Sequence, residues 1–273
     1  MKSTLQSVFV VCLIVQARSA CLFASTLYGS TFGGEGPAIY TLDQDTGIAT
    51  ALGGTSFGVA DLASDWRPES FRLWGIRSNS HLVKLDPILG NGTLIGRFSM
   101  PSVTRLAFDI ATDRLYATAG GSLYVVDPAT AISTFVGNTG RRAFDALCFN
   151  RDGTLFGVTN RDNLLVTIDK TTGFAQTIGS TGIDQIHGLA VRPEDGTMFG
   201  VATLLPIFPS ISSNLYRINM DTGAATLVGS NFGPNGPIIS ISGLAFSPAV
   251  PEPETLMFCF SAMLCVVLSK HRR

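Results

Sequence analysis

Ile241-Ser242-Gly243-Leu244-Ala245-Phe246 is an apolar, strand-like hexapeptide, and its position in the chain decides the architecture. Four segments of the same kind lie upstream, at 59–63, 103–108, 144–149 and 186–191. Each of these is followed by a short aromatic seed: Leu73-Trp74-Gly75, Leu115-Tyr116-Ala117, Leu155-Phe156-Gly157 and Met198-Phe199-Gly200. A fifth seed, Leu27-Tyr28-Gly29, has no such segment before it, and 241–246 has no seed after it. The last segment therefore fills the vacancy beside the first seed.

Working outward, each seed leads into an alternating stretch that ends on Asp or Asn, at 39–43, 82–86, 123–127, 165–169 and 215–219. Alternation at period two marks a half-buried strand. A turn follows, most fully Asp-x-x-Thr-Gly at 43–47 and 169–173, where the carboxylate accepts backbone hydrogen bonds and glycine supplies positive φ. A final strand then closes on Gly53, Gly96, Gly137, Gly179 or Gly229. Four strands recurring every 40–46 residues, with one borrowed from the opposite end, predict a ring with no free sheet edge at its closure. The expected fold is all-β, a five-bladed β-propeller over 21–248 closed by its C-terminal strand. An open solenoid would need capping units, and neither end offers one. The body is similar to propellers with Leu-Tyr-Gly and Tyr-x-Ile-Asp repeats, some of them extracellular; that likeness implies the fold and carries no activity.

Composition agrees with a turn-rich β protein: 45% hydrophobic, 14% charged and 29 glycines in 273 residues. A formal net charge of -1 supplies no broad field to recruit nucleic acid or anionic lipid. Of the five cysteines only Cys148 lies well inside the body, so no disulfide framework is expected there, and a buried, inert Cys148 is.

Both ends read as addresses rather than fold. Residues 1–20 have Lys2, an apolar run at 8–15 and small residues at Ala17, Ser19 and Ala20, the layout of a signal peptide cut within a few residues of Ala20. Residues 249–273 give Val250-Pro251-Glu252-Pro253, an apolar stretch at 256–268, and a basic end at Lys270-His271-Arg272-Arg273. This three-part order resembles the PEP-CTERM sorting signal. The resemblance implies recognition by an exosortase, cleavage near the Pro-Glu-Pro motif, and delivery to the surface or matrix of an exopolysaccharide-producing bacterium. Thirteen apolar residues at ~1.5 Å each form a helix of roughly 20 Å, short of a ~30 Å bilayer core. The segment is thus a marginal, transient inner-membrane anchor, with its basic end inside and the body outside. An uncleaved anchor is the plainer reading of the same residues.

Enzymatic propellers place polar residues where the innermost strands begin. The candidates there are Asp61, Arg105, Asp145 and His187. They are of mixed type and fall in two neighbouring columns of the repeat, which favours packing and salt bridging over a catalytic or metal set. The aspartates recurring once per blade point to turn chemistry rather than calcium, and three histidines are too few for a zinc site of several imidazoles. No cofactor is expected. Loop length is the better clue. The connections 30–37, 203–213 and 230–240 exceed their counterparts, belong to one face, and predict a patch of Phe32, Ile207, Phe208, Phe232 and Ile238 for a glycan, protein or matrix polymer. Trp66 and Trp74 read as packing residues. The expectation is a non-enzymatic binding or matrix module, with the secretion machinery, an exosortase and an exopolysaccharide or matrix protein as partners. The alternatives are a calcium-dependent propeller hydrolase or lactonase and a purely structural matrix component.

Overall fold

The computed structural model describes residues 23–32, 39–78, 80–207, 210–230, 232–233, 236–237 and 240–251. Residues 26–248 form one compact unit, and the described residues 23–25 and 249–251 belong to a second. In the second, Phe23–Ala24 pairs antiparallel with Val250–Pro251. The signal-peptide segment, Glu252, Pro253, the apolar stretch 256–268, Arg272 and Arg273 lie outside the described residues. Among the described residues no helix is long and apolar enough to cross a membrane.

The body is a five-bladed propeller of four-stranded antiparallel sheets. Blade 2 is Leu62–Asp65, Arg72–Arg77, His81–Leu85 and Gly92–Arg97; blade 3 is Val103–Asp109, Arg114–Ala119, Ser122–Val126 and Ser133–Asn138. Blade 4 is Phe144–Phe149, Leu155–Thr159, Leu164–Ile168 and Ala175–Ser180; blade 5 is Ile186–Val191, Met198–Ile207, Ser210–Ile218 and Ala225–Ser230. Blade 1 takes Leu27–Thr31, Ile39–Leu42 and Ala49–Gly53 from the start of the body and Ile241–Phe246 from its end. Leu27 stands opposite Phe246 and Gly29 opposite Leu244. The innermost strands touch one another in ring order, including the last with the first.

The repeat signatures are explained at the seams between blades. Among the described residues five buried apolar clusters occur, one per pair of neighbouring blades. Each seed aromatic enters the seam toward the next blade: Trp74 stacks on Phe108 at 4.9 Å, Tyr116 meets Phe149 at 5.4 Å, and Phe199 meets Phe246 across the closing seam at 5.8 Å. Each such ring contributes on the order of 1.5–3 kcal/mol by burial. The glycine of each outer strand abuts the turn of the following blade. A Cβ on Gly137 would lie 1.9 Å from Thr172 O, on Gly179 2.1 Å from Thr222 O, and on Gly229 1.9 Å from Thr46 O in blade 1. The closing joint is built like the others, so the recurring glycine and the recurring turn are two halves of one contact.

Three expected boundaries are corrected. The innermost strand placed at 59–63 begins at Leu62, because Ala60 and Asp61 both bond Ile76 and interrupt the ladder. The connection 203–213 is largely a β-ribbon: Met198–Ile207 and Ser210–Ile218 continue pairing past Thr203–Ser213 and Leu204–Ser212, with an irregularity before Ile207. The connection 230–240 contains a small hairpin, Phe232–Gly233 with Gly236–Pro237, which touches both that ribbon and the outer strand Ala49–Gly53.

Candidate functional site

The site is assembled by a bulge that recurs near the start of the innermost strands. In blade 4, Phe144 faces Thr159 and Ala146 faces Val158, leaving Asp145 as the extra residue. His187 is the extra residue in blade 5, Ser242 in blade 1 and Thr104 in blade 3, where Arg105 immediately follows. A bulge re-aims side chains and ends regular pairing. Here it turns two adjacent columns of the repeat toward the same end of the ring.

Electrostatic coupling crosses the two columns: Arg105 acts on Asp61 and on His187, and Asp145 acts on His187. The Arg105 guanidinium reaches past blade 4 to His187 Nδ1 in blade 5 at 3.5 Å. It also donates to Thr104 O at 3.1 Å and Ala60 O at 3.4 Å. Asp61 is buried and accepts the Leu106 N–H at 2.7 Å, tying blade 2 to blade 3. Asp145 is held by Asn160 Nδ2, at 2.9 and 3.0 Å to its two oxygens. The Ser242 hydroxyl lies 3.3 Å from both Ser30 O and Val59 O. Each blade thus carries one of these polar residues near the start of its innermost strand.

Burial pushes the Asp61 carboxyl up to about 7, against the opposing pull of the Arg105 charge and of the Leu106 and Leu62 N–H groups. Burial and the Arg105 charge hold the His187 imidazole below its ordinary value, with Asp145 opposing them. With Nδ1 facing a guanidinium donor, the neutral ring carries its proton on Nε2.

Further along the innermost strands lies a cavity of about 40 Å³, lined by Leu62, Leu106, Leu147, Leu189, Leu244 and their neighbours, Trp66 among them. That holds a few waters and nothing larger. Cys148 lines it, buried and free, its thiol pushed up chiefly by burial.

At the other end of the same strands the charges are paired. Asp65, fully buried, accepts from Arg67 Nε at 2.7 Å, Arg72 Nη2 at 2.8 Å and Ser70 Oγ at 2.8 Å. Burial works to raise its pKa, but the bonds from Arg67, Arg72 and Ser70 outweigh it and hold the carboxyl below the usual range. Arg72 lies over Trp74 and Phe108, so Trp74 is a packing residue as expected. Asp109, also fully buried, accepts from Thr112 Oγ1 at 2.7 Å and Lys170 Nζ at 2.5 Å.

The recurring turn aspartates work within their own turns. Asp169 accepts from the Thr171 and Thr172 N–H groups and the Thr171 hydroxyl, which bring its pKa down to about 2. Asp43, Asp86 and Asp127 do the same in their blades. Among the described residues no three His, Cys, Asp or Glu side chains group closely enough to hold a metal ion.

Of the predicted apolar patch, Phe32 is 52% exposed. Ile207 and Phe232 sit at the tips of the hairpins described above, and Phe208 and Ile238 lie outside the described residues. Antiparallel strand order puts connections 30–37, 203–213 and 230–240 on the face where the innermost strands begin, the face of the polar cluster. Thr203 Oγ1 and Ser240 Oγ meet at 2.9 Å there. Sequence reasoning missed Ser242, which its repeat column could have flagged, and Asn160, which carries no signal.

No protein-family model and no curated protein matches the sequence. Among solved structures, a chain of the nidogen/laminin complex is similar over 84% of this chain and 100% of its own, at 12% identity and a TM-score of 0.54. A protein of unknown function from Bacteroides thetaiotaomicron VPI-5482 is similar over 83% of this chain and 72% of its own, at 13% identity and a TM-score of 0.54. At these identities the likeness is one of fold: the chain is a β-propeller, an architecture suited to a binding or structural module.

Proposed function

We propose that this chain is an exported β-propeller that acts outside the cell as a non-enzymatic binding or matrix module, sorted by an exosortase after the secretion machinery has moved it across the inner membrane. The observation that carries the reading is the ordered series Val250-Pro251-Glu252-Pro253, an apolar stretch at 256–268, then Arg272-Arg273. A sorting tail of that kind serves a protein whose work is at the surface or in an exopolysaccharide matrix. The face at the start of the innermost strands is the working face: blades 1 and 5 carry their long connections there and expose Phe32. Function on a propeller resides in such connections rather than in the fold.

The test is the intact mass of protein from its native cells, with membrane and extracellular fractions kept apart. The expected species lacks the signal peptide and ends near Pro251 to Pro253. A mass that retains 256–273 overturns sorting and leaves a plain anchor. Binding of the secreted form to exopolysaccharide on a glycan array separates a binding module from a purely structural one.

One observation favours a second reading, a propeller hydrolase or lactonase: His187 and Asp145 converge with Arg105 at the channel head. Turnover of esters or lactones by purified protein, abolished in H187A or D145A, would establish it; sensitivity to chelators would mark it as calcium-dependent.

A further inference from the structure

We propose that Arg105 is the anion receptor of the working face and takes the carboxylate of an acidic sugar, with the polar groups around it receiving that sugar's hydroxyls. This rests on the binding-module reading above and names its ligand class.

What sets Arg105 apart from the other described cations without an ion pair is a buried nitrogen with no hydrogen-bond partner. Arg67, Arg72, Lys170, Arg192 and Arg217 each have a carboxylate partner. Arg105 forms no ion pair among the described residues; its bonds go to two backbone carbonyls and an imidazole at 3.1–3.5 Å. Its Nε is buried and has no partner among the described residues. Burying a guanidinium N–H without a partner is costly, and the planar fork of the group matches a carboxylate. The guanidinium therefore has an unmet donor and the charge and geometry to take one carboxylate.

The surroundings choose the carrier. Asp145, fixed by Asn160, is an acceptor, His187 Nε2 is a donor, and the Ser242 hydroxyl can be either. Acceptors and donors grouped beside a single cation suit a ring with one carboxylate and several hydroxyls. A polyacidic peptide would bring further carboxylates against Asp145 and be repelled. The titratable groups that interact with Arg105 are Asp61 and His187, with Asp145 acting on His187 and Asp61 on Cys148; blade 1 contributes the neutral Ser242. Burial keeps Asp61 partly protonated at neutral pH, so less negative charge opposes the incoming anion than the residue count implies.

Calorimetric titration of the purified full chain tests this, with the monosaccharides glucuronate and galacturonate as probes, and glucose and poly-glutamate as comparators. The uronates are expected to bind at least about tenfold more tightly than glucose, with affinity falling several-fold between pH 6 and pH 8 as Asp61 ionises. R105Q should lose about tenfold or more with an unchanged unfolding midpoint. R105K keeps the charge but loses the fork; it covers the case in which R105Q fails to fold, and it should also lose most of the affinity. Uronate binding unchanged in either folded variant, glucose binding as tight as uronate, or tighter binding at pH 8 would each overturn the proposal. Poly-glutamate binding as well as the uronates would overturn the sugar assignment. A tail cleaved as expected on a chain that binds no uronate sinks this inference alone. Uronate binding by a chain that keeps its tail sinks the sorting reading alone.

Discussion

The two ends of the axial channel are built by the same innermost strands and from the same kinds of residue. At the strand ends, Asp65 and Asp109 are fully buried and each is matched by cations and hydroxyls from its own or a neighbouring blade. At the strand starts stand Asp61, Arg105, Asp145 and His187, yet among the described residues the guanidinium forms no ion pair and one of its nitrogens has no partner. The difference teaches that convergence of charged residues is not by itself a site. What separates a joint from a receptor is whether the charges are satisfied within the fold. The strand ends hold the ring together; the strand starts keep binding capacity in reserve.

The largest expected effect lies at the strand ends. Asp65→Ala removes the buried carboxylate on which two arginines converge, leaving them only the exposed Asp113, and should cost roughly 2–4 kcal/mol in chemical denaturation. It should leave ligand binding at the opposite end unaltered. A loss below about 0.5 kcal/mol would break the comparison, because the paired end would then not be structural.

Asp61→Asn should act in the opposite direction. The folded Asp61 pKa of about 7 exceeds its unfolded value of 3.8, so the native state holds the extra proton between them. Wild-type stability attributable to this group is therefore full below about pH 4, declines as pH rises, and is lost above about pH 7. The variant escapes that decline and should gain roughly 1–3 kcal/mol over wild type at pH 8, with the gain vanishing near pH 4. His187 runs the other way: its lowered pKa gives stability that is present above 6.5 and is lost as pH falls. Denaturation curves of both proteins at pH 4, 6 and 8 separate the two groups. A variant destabilised equally at every pH would make Asp61 a joint like Asp65.

The smallest effect is expected from Lys170→Met. Its ammonium is partly exposed, which screens the pair with Asp109, and the Thr112 hydroxyl and Ala111 N–H still serve that carboxylate. A loss of about 0.5–1.5 kcal/mol in the same assay would rank this joint below the Asp65 one.

Much of the ring was legible in the sequence because its signals are local. Alternation marked the third strands, and Gly137 with the turn at Asp169 to Gly173 recurred because each seam uses that pair as one contact. The bulges were not legible. An extra residue such as Asp145 or His187 looks like any other position in a strand, so the two columns were separated on paper and the innermost strand of blade 2 was set too early. The ribbon at 198–218 was hidden for a different reason. Pro206 and Pro209 punctuate it like a loop, but Pro206 falls at the ladder irregularity, where no donor is needed.

Blade 1 joins the first and last strands of the body, and Thr26 bonds Ser247 across 221 positions. That separation sets a timetable. A ribosome has made blades 2 to 5 before the strand that completes blade 1 exists, and until then Leu27–Thr31 shows one bare edge. Contacts so distant along the chain make folding slow, and the ring is most open to mispairing in the interval between the synthesis of Gly53 and the arrival of Ile241.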